Sequence, residues 1–184
     1  MKTLIKAGLL SLAFTLLYGV RGSFAQTRTP VDGLVARIAP DYADKIEFET
    51  IPAANGFDVF ELESDGQKLV IRGNNYNSMA TGLNHYLKYY CHSFVSWYKD
   101  DAIAYPPDMP VVPQKVRKTA RVKKRFFLNY CTFSYTMPWW KWQDWERLID
   151  WMALNGINMP LAITGQEAIW LKVWKQYGLK DEEI

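Results

Sequence analysis

The sequence predicts a mixed α/β chain built in two units: a small N-terminal α/β sandwich domain, then the opening of a parallel domain in which strands and helices alternate. Three observations predict it. Residues 45–72 hold three short strand-like runs separated by turn pairs, residues 78–90 hold a helical repeat, and from residue 126 the pattern becomes strand, helix, strand, helix. With 49% hydrophobic and 22% charged residues, the 184-residue chain has the composition of a folded protein and not of a disordered one.

The first 25 residues stand apart. Lys2 and Lys6 precede an uncharged run from Ala7 to Val20, and Ser23-Phe24-Ala25 places small residues around a bulky one. This is the layout of an export signal cleaved after Ala25. The run is shorter than the roughly 20 apolar residues a spanning helix needs, so no membrane span is expected once the signal is removed. The signal also accounts for the formal charge of +3: without Lys2, Lys6 and Arg21, 19 basic residues face 19 acidic ones. A neutral chain lacks the concentrated cationic excess that phosphate binding requires, so nucleic acid is not an expected partner. Export as a periplasmic or secreted protein is expected, and the absence of any Asn-x-Ser/Thr sequon favours a bacterial source.

Residues 26–100 are expected to form the first unit. A short helix is predicted over Val31 to Ile38, stopped by Pro40. Strands are predicted at Lys45 to Ile51, Phe57 to Glu63 and Lys68 to Arg72, with Asn55-Gly56 and Asp65-Gly66 as hairpin signals between them. Met79, Leu83, Tyr86, Leu87 and Tyr90 recur at helical spacing and predict a helix covering the sheet. Phe94 to Trp97 is expected to add a further strand. Residues 101–125, with four prolines followed by seven Lys or Arg, are expected to be a solvated linker, and their basic run is not assigned to an anionic ligand.

Residues 126–184 are expected to be the start of the second unit. Strands are predicted at Phe126 to Cys131 and Ile157 to Ile163, helices at Trp142 to Leu154 and Glu167 to Tyr177, and a further helix opening at Lys180 to Ile184. Trp142, Trp145, Ile149 and Met152 are expected to form the buried stripe of the first of these helices. A closed barrel takes eight such units and about 250 residues, so two units predict an open piece of a longer protein.

In parallel α/β folds ligands lie beyond the carboxyl ends of the strands. This singles out Asn129, Tyr130 and Cys131 after the first strand and Thr164, Gly165, Gln166 and Glu167 after the second. Amide side chains both donate and accept hydrogen bonds, which suits sugar hydroxyls or an acetamide. Seven of the eight tryptophans fall between Trp139 and Trp174. Aromatic faces stack on sugar rings; packing is nevertheless expected for Trp142, Trp145, Trp170 and Trp174, which leaves Trp139 and Trp140 as site candidates. The two cysteines, Cys91 and Cys131, and the two histidines, His85 and His92, show no metal-binding spacing, so no metal and no cofactor are expected. With no histidine after Cys131, a nucleophilic thiol is not expected either.

Asn129-Tyr130-Cys131-Thr132, Trp139-Trp140, WMALNGIN (Trp151 to Asn158) and GQEAIW (Gly165 to Trp170), with GLNHYLKYYC (Gly82 to Cys91) upstream, closely resemble the α-N-acetylglucosaminidases of glycoside hydrolase family 89. The resemblance implies an N-terminal α/β domain followed by a (β/α)8 TIM barrel, of which this chain would hold the truncated start. It implies an exo-acting, retaining hydrolysis of terminal α-linked N-acetylglucosamine from glycans, carried out by two glutamates on later barrel strands. No catalytic residue is therefore assigned, and the chain alone is expected to be inactive. By matching position, Asn129 and Cys131 would line the pocket for the terminal sugar, with Gln166 and Glu167 near the same end of the barrel. The alternative is a non-catalytic carbohydrate-binding or interaction protein derived from the same family. If the export signal is read correctly, the mature chain begins at Gln26; intact-mass analysis after expression in a secreting host should find it, and a retained Met1 would refute the signal.

Overall fold

The computed structural model describes residues 29–66, 68–98, 103–128, 131, 135, 137–162 and 166–184; the expected signal at residues 1–25 and the candidate Asn129 lie outside the described residues. The chain enters through α1, Pro30–Ile38. Thr29 caps it reciprocally with Asp32, Pro30 occupies the first turn, and the helix stops at Ala39 before Pro40. Val31, Leu34 and Val35 form its buried face. A 3-10 turn follows at Pro40–Lys45 and buries Tyr42.

The three predicted strands form as β1, Ile46–Thr50, β2, Val59–Asp65, and β3, Lys68–Gly73, but their pairing differs from successive hairpins. β2 and β3 are an antiparallel hairpin turned by Asp65-Gly66, with Gly66 at φ +61°. β1 instead pairs with β3, in parallel, from Ile46 opposite Leu69 to Thr50 opposite Gly73. The Asn55-Gly56 turn closes only a local bridge between Ala54 and Phe57, so it redirects the connection and does not fold β2 back on β1. The sheet order is β1-β3-β2-β4, and β4 is Val116–Thr119. That strand comes from the stretch expected to be a linker. The expected strand at Phe94 to Trp97 does not form: Phe94 is exposed and Val95 drops into the core. The free edge of β2 goes to β4 because buried Glu61 binds Lys115 at 2.7 Å and also Arg117, so the basic run has an ionic reason to lie there.

α2, Tyr76–Tyr89, covers one face of this sheet. Asn75 caps it by accepting from Ser78 N, and Met79, Ala80, Leu83, Tyr86 and Leu87 are buried. Leu62 and Ile71 rise to meet them in one cluster with Leu34 and Val35 of α1. The proline-rich segment supplies acceptors for the buried phenols: Tyr86 OH donates to Pro110 O at 2.6 Å and Tyr42 OH to Pro106 O. Burial is the first cause that pushes both phenols above their ordinary pKa.

The second unit contains β5, Phe126–Phe127, α3, Trp142–Leu154, β6, Met159–Pro160, and α4, Gln166–Gln176. β5 and β6 pair in parallel, Phe126 opposite Met159 and Phe127 opposite Pro160, as the alternation predicts. Both are shorter than expected. Leu128 turns to φ +79° directly after β5, and Pro160 brings no N–H to the ladder. Residues Lys180 to Ile184 form only a 3-10 turn at Asp181–Glu183.

The buried side of α3 is not the predicted tryptophan stripe. Leu148, Asp150 and Leu154 are buried, whereas Trp142 is 63% and Ile149 46% exposed. α3 turns this face to α1 and α2, and Leu154 completes the N-terminal core. α4 has no buried residue; Trp170 and Trp174 pack on each other with ring centroids 6.0 Å apart but remain half exposed, against the packing expected for them.

One glycine tests how tightly α2 is packed. A Cβ at Gly82 would lie 2.9 Å from Ile71 Cγ2 and 3.4 Å from Leu62 and Phe60. Gly to Ala inside a helix normally gains about 1 kcal/mol, but overpacking costs about 1–3 kcal/mol, and the neighbours here are buried strand residues. Gly82→Ala is therefore expected to lower stability in urea denaturation; a rise would show that the helix can back away from the sheet.

Candidate functional site

Parallel pairing sends the chain out of β5 and β6 on the same side, which is what places the candidate residues at one end of the sheet. Cys131 is exposed there, Gln166 is partly buried at the start of α4, and Glu167 is exposed in the helix's first turn. A carboxylate in that turn is favoured by the helix dipole whatever else it does. Among the described residues no hydrogen bond joins Cys131 to Gln166 or Glu167, so they share an end of the sheet without forming a closed cluster. The two thiols do not form a disulfide: Cys91 is free and buried, and Cys131 is free.

The two loop tryptophans separate. Trp139 is 79% exposed and keeps its ring available. Trp140 is wedged edge-on between Trp97, at 5.9 Å, and Trp145, at 5.0 Å. Trp97 also meets Trp151, which lies 5.1 Å from Phe127 of β5. A chain of rings thus runs from the first unit to the root of β5. Trp97, which stands outside the tryptophan-rich segment and was expected to end a strand, instead packs against that segment's rings.

Behind this end lies a joint made of polar groups. Asp58 accepts from Asn74 Nδ2 at 3.1 Å, from Asn75 Nδ2 at 2.8 Å and from the Arg125 guanidinium. The same guanidinium donates to the carbonyls of Gly156 and Val122. Asn158 accepts from Arg125 N at 2.9 Å and donates to Lys123 O at 2.8 Å, holding the entry of β5 against the entry of β6. Asn77 of α2 donates to Ile157 O at 2.9 Å. Gly156 stands at φ +70° beneath Thr81, where a Cβ would be 3.0 Å from Thr81 Oγ1. WMALNGIN is therefore largely a joint: Leu154 enters the core, Asn155-Gly156 ends α3, Ile157 accepts from α2 of the first unit, and Asn158 ties the approach to β5 to that of β6.

A second clamp lies across α1 and α3. Arg37 forks onto Asp150 with two bonds of 2.7 Å, and hydrogen bonding to Asp150 holds the guanidinium above its ordinary pKa. Beside it runs a groove of about 960 Å³ lined by Arg37, Asp41, Tyr105, Gln143, Glu146 and Arg147 among others; Cys131, Gln166 and Glu167 do not line it. Among the described residues, no three His, Cys, Asp or Glu side chains gather as a metal site, and no helix is long and apolar enough to cross a membrane.

Profiles of one family match both units. The α-N-acetylglucosaminidase N-terminal domain matches residues 29–111, and the α-N-acetylglucosaminidase tim-barrel domain matches residues 125–184. The chain belongs to the α-N-acetylglucosaminidase family. Human α-N-acetylglucosaminidase is 38% identical over 172 residues, covering 90% of this chain and 23% of the human protein. Among solved structures, a family 89 glycoside hydrolase from Clostridium perfringens in complex with 2-acetamido-1,2-dideoxynojirmycin is 39% identical, with a TM-score of 0.76 over 83% of this chain and 18% of that one. A variant of a Clostridium perfringens protein of the same family, with two glutamate-to-glutamine substitutions, is in complex with its substrate GlcNAc-alpha-1,4-galactose and matches with a TM-score of 0.79 at the same coverage. This member of the α-N-acetylglucosaminidase family thus spans less than a quarter of the human relative. Its fold is the family's N-terminal α/β part followed by the first βα units of the barrel domain. The joint ties Asp58, inside the first match, to Arg125, at the start of the second.

The joint makes a pH prediction. Burial alone would raise the Asp58 pKa, but hydrogen bonds from Arg125, Asn74 and Asn75 outweigh it and hold the carboxyl below its ordinary value. Glu61 is lowered too, first by Lys115 and then, against desolvation, by Arg117. The native chain then binds fewer protons than the unfolded one, so this stability is present above the unfolded carboxylate pKa of about 4 and is lost as pH falls through the depressed values. Asp58→Asn should cost on the order of 1–3 kcal/mol at pH 7 and make the acid side of a melting-temperature profile shallower; an unchanged slope would remove Asp58 from the acid transition.

Proposed function

We propose that this chain is the N-terminal part of an exported, exo-acting, retaining α-N-acetylglucosaminidase, which hydrolyses terminal α-linked N-acetylglucosamine from glycans. The observation that carries the proposal is the match, at a TM-score of 0.79 over 83% of the chain, to a relative solved with its substrate GlcNAc-alpha-1,4-galactose. In this proposal residues 1–25 are a removable signal and the chain works outside the cytoplasm. β4 is counted with the N-terminal unit, and the barrel start follows from residue 126.

Retaining hydrolysis needs two carboxyl groups about 5 Å apart, one as nucleophile and one as acid/base. The buried and half-buried carboxylates described above are committed elsewhere: Asp58 to Arg125, Glu61 to Lys115 and Arg117, and Asp150 to Arg37. Glu167 stands at the strand ends without a described carboxylate partner. The role we propose for this part is to form one wall of the sugar pocket, with Asn129 and Gln166 offering amides to hydroxyl or acetamide groups and Cys131 and Glu167 beside them. The exposed ring of Trp139 favours a second reading, in which the chain binds sugar without catalysis.

An aryl α-N-acetylglucosaminide separates these proposals. The 184-residue chain is expected to release no aglycone, whereas a polypeptide continuing through further βα units that supply two glutamates is expected to turn over. Hydrolysis by the chain itself would overturn the assignment of the catalytic pair to later strands, and sugar binding without turnover by the longer polypeptide would favour the second reading.

A further inference from the structure

The dipeptide Asn-Gly occurs twice, at Asn55-Gly56 and at Asn155-Gly156, and the fold treats the two differently. Asn-Gly carries a chemistry of its own. The glycine nitrogen, uncrowded by a side chain, can attack the carboxamide carbon of the preceding asparagine and close a five-membered ring. In a folded chain the reaction requires that both groups be free of other partners.

Asn155-Gly156 is tied down. Asn155 Nδ2 donates to Trp151 O at 2.9 Å, Gly156 N donates to Ala153 O at 3.0 Å, and Gly156 is buried. Asn55-Gly56 is the opposite case. Both residues are exposed, and with φ of +54° and +76° they form the turn that closes the Ala54–Phe57 bridge. That bridge occupies the amides of Ala54 and Phe57 on either side, but among the described residues neither Gly56 N nor the Asn55 carboxamide has a hydrogen-bond partner. One further group stands at the turn. Apart from its chain neighbours only Lys123 approaches Gly56: a Cβ there would lie 3.6 Å from Nζ and 4.0 Å from Cε. The ammonium is seated over the Phe57 ring, 5.3 Å from its centroid. A positive charge at this point favours the negative charge that develops on the attacking nitrogen and the carboxamide oxygen.

We propose that Asn55 is a self-modification site, converted to aspartate and isoaspartate by attack of Gly56 N with Lys123 promoting the step, while the fold protects Asn155. Gly56 N gives its proton to solvent base and bonds to Asn55 Cγ. The Cγ–Nδ2 bond breaks, ammonia leaves after taking up a proton, and a succinimide remains. Water then opens the ring, at the side-chain carbonyl to give aspartate or at the backbone carbonyl to give isoaspartate. No oxidant, reductant or cofactor takes part. Each event adds one carboxylate beside Lys123, whose backbone carbonyl Asn158 ties into the joint.

The test follows the folded chain at mildly alkaline pH by peptide mass spectrometry, reading the mass gain on exchange of ammonia for water at each asparagine. Asn55 is expected to convert at least about tenfold faster than Asn155, where two hydrogen bonds must open before the ring can close. In guanidinium chloride both dipeptides are equally open, and the two rates are expected to converge. Lys123→Gln should slow Asn55 by about threefold, the scale of an exposed charge interaction, and leave Asn155 unchanged; Lys123→Arg should restore the rate. Lys123 is exposed, and circular dichroism will verify that the variants keep the fold. The proposal is overturned by equal rates in the folded chain, by a rate gap that persists in denaturant, by undiminished conversion of Asn55 in Lys123→Gln, or by Lys123→Arg being as slow as Lys123→Gln.

Discussion

Arg125 reaches four parts of the chain at once. It meets Asp58 before β2, the carbonyl of Val122 in its own approach to β5, and the carbonyl of Gly156 after α3, while its backbone N–H is taken by Asn158 before β6. A guanidinium can do this because its donors form a planar fork that stays charged. Partial burial would penalise each of these groups if it stood alone, so the joint holds as a set. It fixes where β5 and β6 begin, and hence where their carboxyl ends point.

Hydrophobic packing alone would not produce this arrangement. α3 could have buried its tryptophans; instead it turns Leu148, Asp150 and Leu154 to the first unit, because Arg37 and the N-terminal core wait there. Trp142 and Ile149 are left exposed on α3, and α4 buries nothing. Specific polar contacts and two leucines thus decide the orientation of a helix whose apolar residues outnumber them. The ring chain from Trp97 through Trp151 to Phe127 then carries the first unit's position to the strand itself.

The family's sequence signatures acquire separate meanings in this frame. WMALNGIN is mostly a joint, with a glycine at positive φ and an asparagine bridging two strand entries. Of GQEAIW, the residues from Gln166 onward open α4 after β6. The basic run after the prolines, read as solvated, is an edge strand held by a buried glutamate. A short run of two adjacent cations with one apolar residue carries little strand signal by itself, and here it gains order from its partner.

Local elements were legible because they depend on near neighbours: a capping box at Thr29, apolar spacing in α2, a glycine turn between β2 and β3, and the alternation of strand and helix after residue 126. Candidate site residues were legible as positions following strands, and two signatures placed the chain in its family. The pairing of β1 with β3, the recruitment of β4, the short reach of β5 and β6, and the buried side of α3 were not. Each is set by contacts between residues far apart in the chain, such as Glu61 with Lys115 and Arg37 with Asp150, whose local surroundings look the same whether or not the partner is there. The sequence by itself determined the elements and the family; the tertiary structure decided which faces meet, because an ion pair or a ladder exists only once both of its members have been brought together.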